Sequence, residues 1–147
     1  MKRLLLLASG LVVLSMTGLA LAQEPPDWAL SQNLPNPFCN ESSITKIQYA
    51  LNQQSEVLLQ VWSPDTSVVV RVIVDGAQAA GYHEVDWDGR DGGAALVGNG
   101  EYPYSLTATQ IGGGPVLFEG MLVASIHCVP IGSDQDTWGK IKALFVE

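Results

Sequence analysis

Fifteen aspartates and glutamates, two cysteines and two histidines are the side chains here whose chemistry could go beyond packing. The densest group is Asp86, Asp88 and Asp91, and clustered carboxylates of this kind can hold Ca²⁺. A calcium loop wants oxygen ligands at alternating positions and a glutamate at the twelfth. Arg90 takes one of those alternating places, so no cofactor is expected, with Ca²⁺ the one ion these carboxylates suggest. His83 and His127 lie far apart, without a cysteine or acid at metal-ligand spacing, and His83 reads as a core-edge residue. Ser63 and Ser125 lack the flanking glycines of a nucleophile elbow. The glycines of Ile111–Pro115 precede a predicted strand, whereas a phosphate cradle opens a helix. No acid, base or nucleophile pair emerges, and an enzyme is not expected. Cys39 and Cys128 read equally well as a disulfide or as two buried thiols.

These residues sit in a chain of 147 residues and 15.7 kDa, enough for one domain. Residues 1–22 have the layout of an export signal: Lys2 and Arg3, an apolar run from Leu4 to Leu14, then Ala20-Leu21-Ala22 before Gln23. Cleavage there would leave 125 residues with five basic side chains against fifteen acids. So acidic a surface repels nucleic-acid phosphates and anionic lipid, and nucleic acid is not an expected partner. No later apolar run approaches the roughly 18 residues of a membrane span. The cleavage site lacks a cysteine for a lipid anchor, so the expectation is an exported chain, in the periplasm, at the cell surface or outside the cell.

Beyond a short leader, residues 23–29, the pattern is of short strands. Ile47, Tyr49 and Leu51 alternate with Gln48 and Ala50, and Val57, Leu59 and Val61 alternate with Leu58, Gln60 and Trp62, which reads as a hairpin. Pro64-Asp65 is a turn. The β-branched run Val68–Val74 suits a strand covered on both faces or poorly solvated on one. His83, Val85 and Trp87 share one face of the next strand, which ends in Asp88-Gly89. Tyr102, Tyr104, Leu106 and Ala108 share a face of another, with Pro103 expected at its frayed beginning. Gly112-Gly113-Gly114-Pro115 turns the chain into a last strand, Val116 to His127. About seven strands at roughly ten-residue spacing predict an all-β antiparallel sandwich of immunoglobulin or fibronectin type. The tail, residues 129–147, carries Trp138, Ile141, Leu144 and Phe145 at helical spacing, a short amphipathic helix that packs on its own sandwich or docks on a partner.

Several of these segments together resemble a known module. Gln32-Asn33-Leu34-Pro35-Asn36-Pro37-Phe38, Ile47-Gln48-Tyr49-Ala50-Leu51, Ala80-Gly81-Tyr82-His83-Glu84-Val85-Asp86-Trp87-Asp88-Gly89-Arg90-Asp91 and Gly98-Asn99-Gly100-Glu101-Tyr102-Pro103-Tyr104 are similar in order and spacing to motifs of the FlgD-type immunoglobulin-like domain. That domain is shared by flagellar hook-capping proteins and the sorting domains of type IX secretion cargo. The resemblance implies an immunoglobulin-like sandwich over residues 30–128. Within it Asn36, Pro37, Phe38, His83, Trp87, Asp88, Gly89 and Asp91 are fold residues, with the two aspartates capping loop amides and Phe38 plugging the open end of the sandwich.

The chain departs from the family where Cys39-Asn40 follows the Asn-Pro-Phe, and its short flanks offer no obvious cargo or hook-binding segment. If the strands alternate up and down, the strand opening near Ile44 and the last strand ending near Ile126 reach one pole. Cys39 and Cys128 lie just outside those points, which favours a disulfide worth roughly 4 kcal/mol in the chain-entropy view. The function expected is that of an exported, non-enzymatic structural or adhesion module making protein contacts at the cell envelope or outside the cell. Its contact features would be edge strands, which could also self-associate, exposed aromatics such as Trp62, and Trp138, Ile141, Leu144 and Phe145 of the tail. A small ligand- or carbohydrate-binding sandwich and a sorting or anchoring module are the alternatives.

Overall fold

The computed structural model describes residues 24–129. The expected export signal, residues 1–22, and the helix expected in the tail lie outside the described residues. Within them are seven strands: β1 (Ala29–Leu30), β2 (Thr45–Leu51), β3 (Ser55–Trp62), β4 (Val69–Gln78), β5 (Gly81–Trp87), β6 (Gly100–Gln110) and β7 (Val116–Ile126). They form two antiparallel sheets, one of three strands in the order β1-β2-β5 and one of four in the order β4-β3-β6-β7. The fold is the sandwich that the strand spacing predicts.

Alternation drives this arrangement. In β2, β3 and β6 every second side chain is buried, so Ile47, Tyr49, Leu51, Val57, Leu59, Val61, Tyr104 and Leu106 meet between the sheets. Removing that apolar surface from water is the main stabilising term, on the order of 25 cal/mol per Å². Burial pushes the Tyr49 and Tyr104 phenols upward in pKa.

Three local expectations change. β2 and β3 are consecutive but belong to opposite sheets, so Asn52, Gln53 and Gln54 cross between layers instead of turning a hairpin. Period two reports which face is buried, and both sheets bury theirs toward one core. Pro103 lies inside β6, opposite Val123 of β7. It is tolerated because the β3 ladder stops at Val61 opposite Tyr104, leaving β6 unpaired on that side from Gly100 to Pro103. The β-branched run forms β4, an edge strand and not a covered one. Val70, Ile73 and Val74 pack on the core while Val68 and Val72 are exposed, the pattern being broken by two shifts of register against β3.

The turns follow the sequence. Asp65 accepts hydrogen bonds from the hydroxyls of Ser63 and Ser67 and from the Ser67 amide, which holds its carboxyl at a pKa of about 2.

A polar knot is buried at the edge between the sheets. The Asn33 amide donates to the Tyr104 hydroxyl at 2.9 Å, and that hydroxyl donates to the Ser31 carbonyl at 2.8 Å. Asn33 Nδ2 donates to Thr45 Oγ1 at 2.8 Å, which in turn donates to the Pro35 carbonyl at 2.8 Å. The Tyr49 hydroxyl, by contrast, has no hydrogen-bond partner among the described residues. Tyr104→Phe is therefore expected to cost about 1–3 kcal/mol, because it strands a buried donor and acceptor, while Tyr49→Phe stays within about 1 kcal/mol of the parent. Urea unfolding of the two variants checks the contrast.

Candidate functional site

Phe38, Trp87, Asp88, Gly89, Asp91 and the two cysteines lie at one pole of the sandwich, whereas His83 lies toward the other end of β5. The chain enters along the three-stranded sheet, with the Ser31 amide bonded to Gln48 and Leu34 exchanging both backbone hydrogen bonds with Lys46. It then crosses to the other sheet, where Phe38 bridges Ile126 in parallel: the Phe38 amide donates to the Ser125 carbonyl at 3.0 Å and the His127 amide to the Phe38 carbonyl at 2.9 Å. The Leu34-Pro35 and Asn36-Pro37 peptides are cis. Asn36 Oδ1 accepts the Ser125 amide at 2.8 Å. The segment thus lies along β7 as a partial strand.

Phe38 is only 3% exposed and closes the pole. Its ring meets Trp87 edge to face at 5.7 Å, and Trp87 meets Tyr102 the same way at 5.8 Å. Such pairs contribute about 0.5–1.5 kcal/mol beyond their burial. The Trp87 indole N–H donates to the Arg90 carbonyl at 3.0 Å, so the tryptophan also fixes the loop that follows it. His83 stacks on Tyr49 at 5.1 Å and its Nε2 lies 2.8 Å from the Ala79 carbonyl, at the rim of the core.

The aspartates serve the loop. Asp88 Oδ1 accepts the Arg90 amide at 3.1 Å, and Asp91 Oδ1 accepts the amides of Gly93 and Ala95, each at 2.9 Å. Asp86 instead points from β5 toward Lys46, 3.5 Å away. Lys46 also pairs with Glu84, which lowers the Glu84 pKa and raises that of Lys46. The three aspartates do not converge on a point where a cation could sit. Among the described residues, the group that does bring three ligand-type atoms within 4.8 Å is Cys39, Glu41 and Cys128, but both sulfurs are committed to a disulfide.

That disulfide joins residues 89 apart in sequence across a Cα separation of 4.7 Å. Two asparagines that the sequence reading left unassigned complete the pole. Asn40 Nδ2 donates to the carbonyls of Gly89 and Val97 at 2.9 and 2.8 Å, and Asn99 exchanges two hydrogen bonds with the backbone of Cys128, at 2.9 and 3.0 Å. The only signal they carried in sequence was position, one beside a cysteine and one between glycines.

The exposed-aromatic expectation is corrected. Trp62 is half-buried and its indole N–H donates to Ser105 Oγ at 2.9 Å. Trp28 stacks on Phe118 at 6.0 Å and Trp87 is in the core, so these three indoles do not form a common platform for a sugar ring. Trp138, Ile141, Leu144 and Phe145 lie outside the described residues.

A two-sheet sandwich whose pole is closed by an Asn-Pro-Phe entry segment and a Trp-Asp-Gly turn defines an immunoglobulin-like module. The FlgD Ig-like domain model matches residues 37–112, and the chain belongs to that family. A solved structure of FlgD from P. aeruginosa is similar in fold, with a TM-score of 0.50 and 22% identity over 76% of this chain and 83% of that one. Comparison with curated proteins gives no match.

Gly89 shows how tightly the pole is built. Its φ is +68°, and a Cβ placed there would lie 2.3 Å from the Cβ of Asn40. Gly89→Ala should therefore destabilise by about 2 kcal/mol or more, through backbone strain together with displacement of Asn40. A thermal melt unchanged by the substitution would contradict this packing.

Proposed function

We propose that this chain is an exported, non-enzymatic assembly module that makes protein–protein contacts at the cell envelope or outside the cell. The observation that carries the reading is the outer edge of β5. β5 pairs with β2 in unbroken register from Gly81 opposite Leu51 to Trp87 opposite Thr45, and among the described residues its other edge has no strand partner. A regular, unpaired edge offers amides and carbonyls to an added strand. The other long edges are blunted: Gln32, Asn36 and Phe38 occupy backbone groups of β7, and β4 is bulged, with Gly92 bonded to Val70.

Several further observations support the reading. The fold residues spend their polar groups on the sandwich itself. The basic, hydrophobic and small-residue run of residues 1–22 has the composition of an export signal. Membership in a family named for FlgD agrees with a scaffold role rather than a catalytic one.

Tyr82, at 80% exposure, stands on β5 and reports on that edge. With a photo-crosslinking side chain in place of Tyr82 in the full chain, irradiation of cells is expected to give a discrete adduct in the extracytoplasmic fraction. An adduct of twice the chain's own mass identifies self-association and a different mass a separate protein. Irradiation that yields no adduct, or a chain that stays in the cytoplasm, would contradict the reading.

A further inference from the structure

The hydrogen bonds of β2 reveal which groups of β5 are free. Leu34 exchanges backbone bonds with Lys46, and the Ser31 amide donates to the Gln48 carbonyl, so the even-numbered residues of β2 turn their amides and carbonyls toward β1. Its odd-numbered residues therefore bond to β5, Ile47 with Val85 and Tyr49 with His83. Tyr82, Glu84 and Asp86 are left with N–H and C=O groups directed to the outer edge, where no described residue pairs with them. These groups recur about every 7 Å, the repeat of an extended chain.

The same three side chains are exposed, whereas Val85 turns inward and is only partly buried. Glu84 and Asp86 share a single ammonium, that of Lys46, which reaches them from the β2 side. A strand arriving from the free side meets two carboxylates for one cation. The surroundings have the same sign: among the described residues twelve carboxylates, the fifteen of the chain less Asp134, Asp136 and Glu147, stand against Lys46, Arg71 and Arg90. Beneath the edge, a cleft of about 230 Å³ between β5 and β4 is lined by Arg71, Val72, Ile73, Asp86, Trp87 and Asp88. Arg71 is held there by the Asp91 carbonyl at 2.8 Å, and Ile73 is partly buried.

Charge also decides against a second copy of β5 as the occupant. Two β5 strands related by a two-fold axis pair antiparallel, and the register that uses all three free residues sets Glu84 against Glu84. A shift toward the pole sets Glu84 against Asp86. Like charges directly opposite one another destabilise a ladder.

We propose that the β5 edge takes up an extended segment of a different protein, one that alternates basic and apolar residues. Resting on the reading of β5 as an assembly edge, this names the partner's chemistry. The added strand runs antiparallel, like every ladder in the two sheets. Its lysines or arginines stand beside Glu84 and Asp86, and its apolar side chains turn inward beside Val85 and Ile73.

Two seven-residue peptides capped at both ends serve as probes, one alternating lysine with valine and the other glutamate with valine. At about 0.15 M salt, which screens long-range attraction, the full chain should bind the lysine peptide at least about tenfold more tightly. N-methylation of the lysine amides, which face β5 in this pairing, should weaken binding at least about tenfold, because each methyl group removes a ladder donor. Saturating lysine peptide should slow hydrogen exchange of the Tyr82, Glu84 and Asp86 amides at least about tenfold and leave His83 and Val85, already bonded to β2, unchanged. Glu84→Gln combined with Asp86→Asn, both at exposed positions, should abolish the preference for lysine. The proposal fails if the two peptides bind equally, if neither binds, if N-methylation or the double substitution has no effect, or if the three edge amides gain no protection. A Tyr82 adduct of twice the chain's own mass also overturns it while leaving β5 as an assembly edge. Absence of any adduct overturns that broader reading, whichever peptide binds.

Discussion

The short segment from Ser31 to Phe38 touches both sheets, and the rest of the structure depends on that double attachment. Its first half hydrogen-bonds to β2 and its second half to β7, so one strand-like stretch joins the edge of the three-stranded sheet to the edge of the four-stranded one. Two sheets held only by apolar packing can slide, since dispersion and burial have little directionality. Backbone hydrogen bonds are directional, and here they fix the sheets' relative position. Phe38, seated against Trp87, then makes that position the one in which the core is closed.

The pole adds specificity to this closure. Asn40 and Asn99 act as surrogate backbone, pairing with carbonyls and amides that would otherwise be stranded where the strands run out. The Cys39–Cys128 bond lies beside them and ties the end of the entry segment to the end of β7. In the entropy model such a bond acts mainly on the unfolded chain, so it strengthens an arrangement that the hydrogen bonds and aromatic contacts already define. The polar groups of the pole are thus spent internally, while the outer edge of β5 has no strand partner among the described residues.

Much of this is legible in the sequence. Alternation along β2, β3, β5 and β6 identified the inward faces, because burial in a sandwich repeats every two residues. The roles of Trp87, Asp88 and Asp91 followed from a turn that needs a glycine and caps for its amides. What alternation cannot report is which sheet a strand joins, and so β2 and β3 read as partners although they face each other across the core. The run Val68–Val74 misled for a related reason: a bulged edge strand can turn successive β-branched residues toward the core without being covered on both sides. The bridging roles of Asn33, Asn40 and Asn99 are not legible in sequence, because an asparagine in a loop looks the same whether it is solvated or serves as a buried bridge.

The central claim is that directional contacts of the entry segment define the closed pole and that the disulfide adds stability without defining it. Urea unfolding of the full chain, oxidised and reduced, followed by hydrogen exchange at the Phe38, Ser125 and His127 amides, tests this directly. The account predicts that reduction lowers the unfolding free energy by about 4 kcal/mol while those three amides remain protected in native buffer. Loss of their protection on reduction, with the remaining ladders intact, would contradict it by showing that the sulfur bond alone holds the pole together.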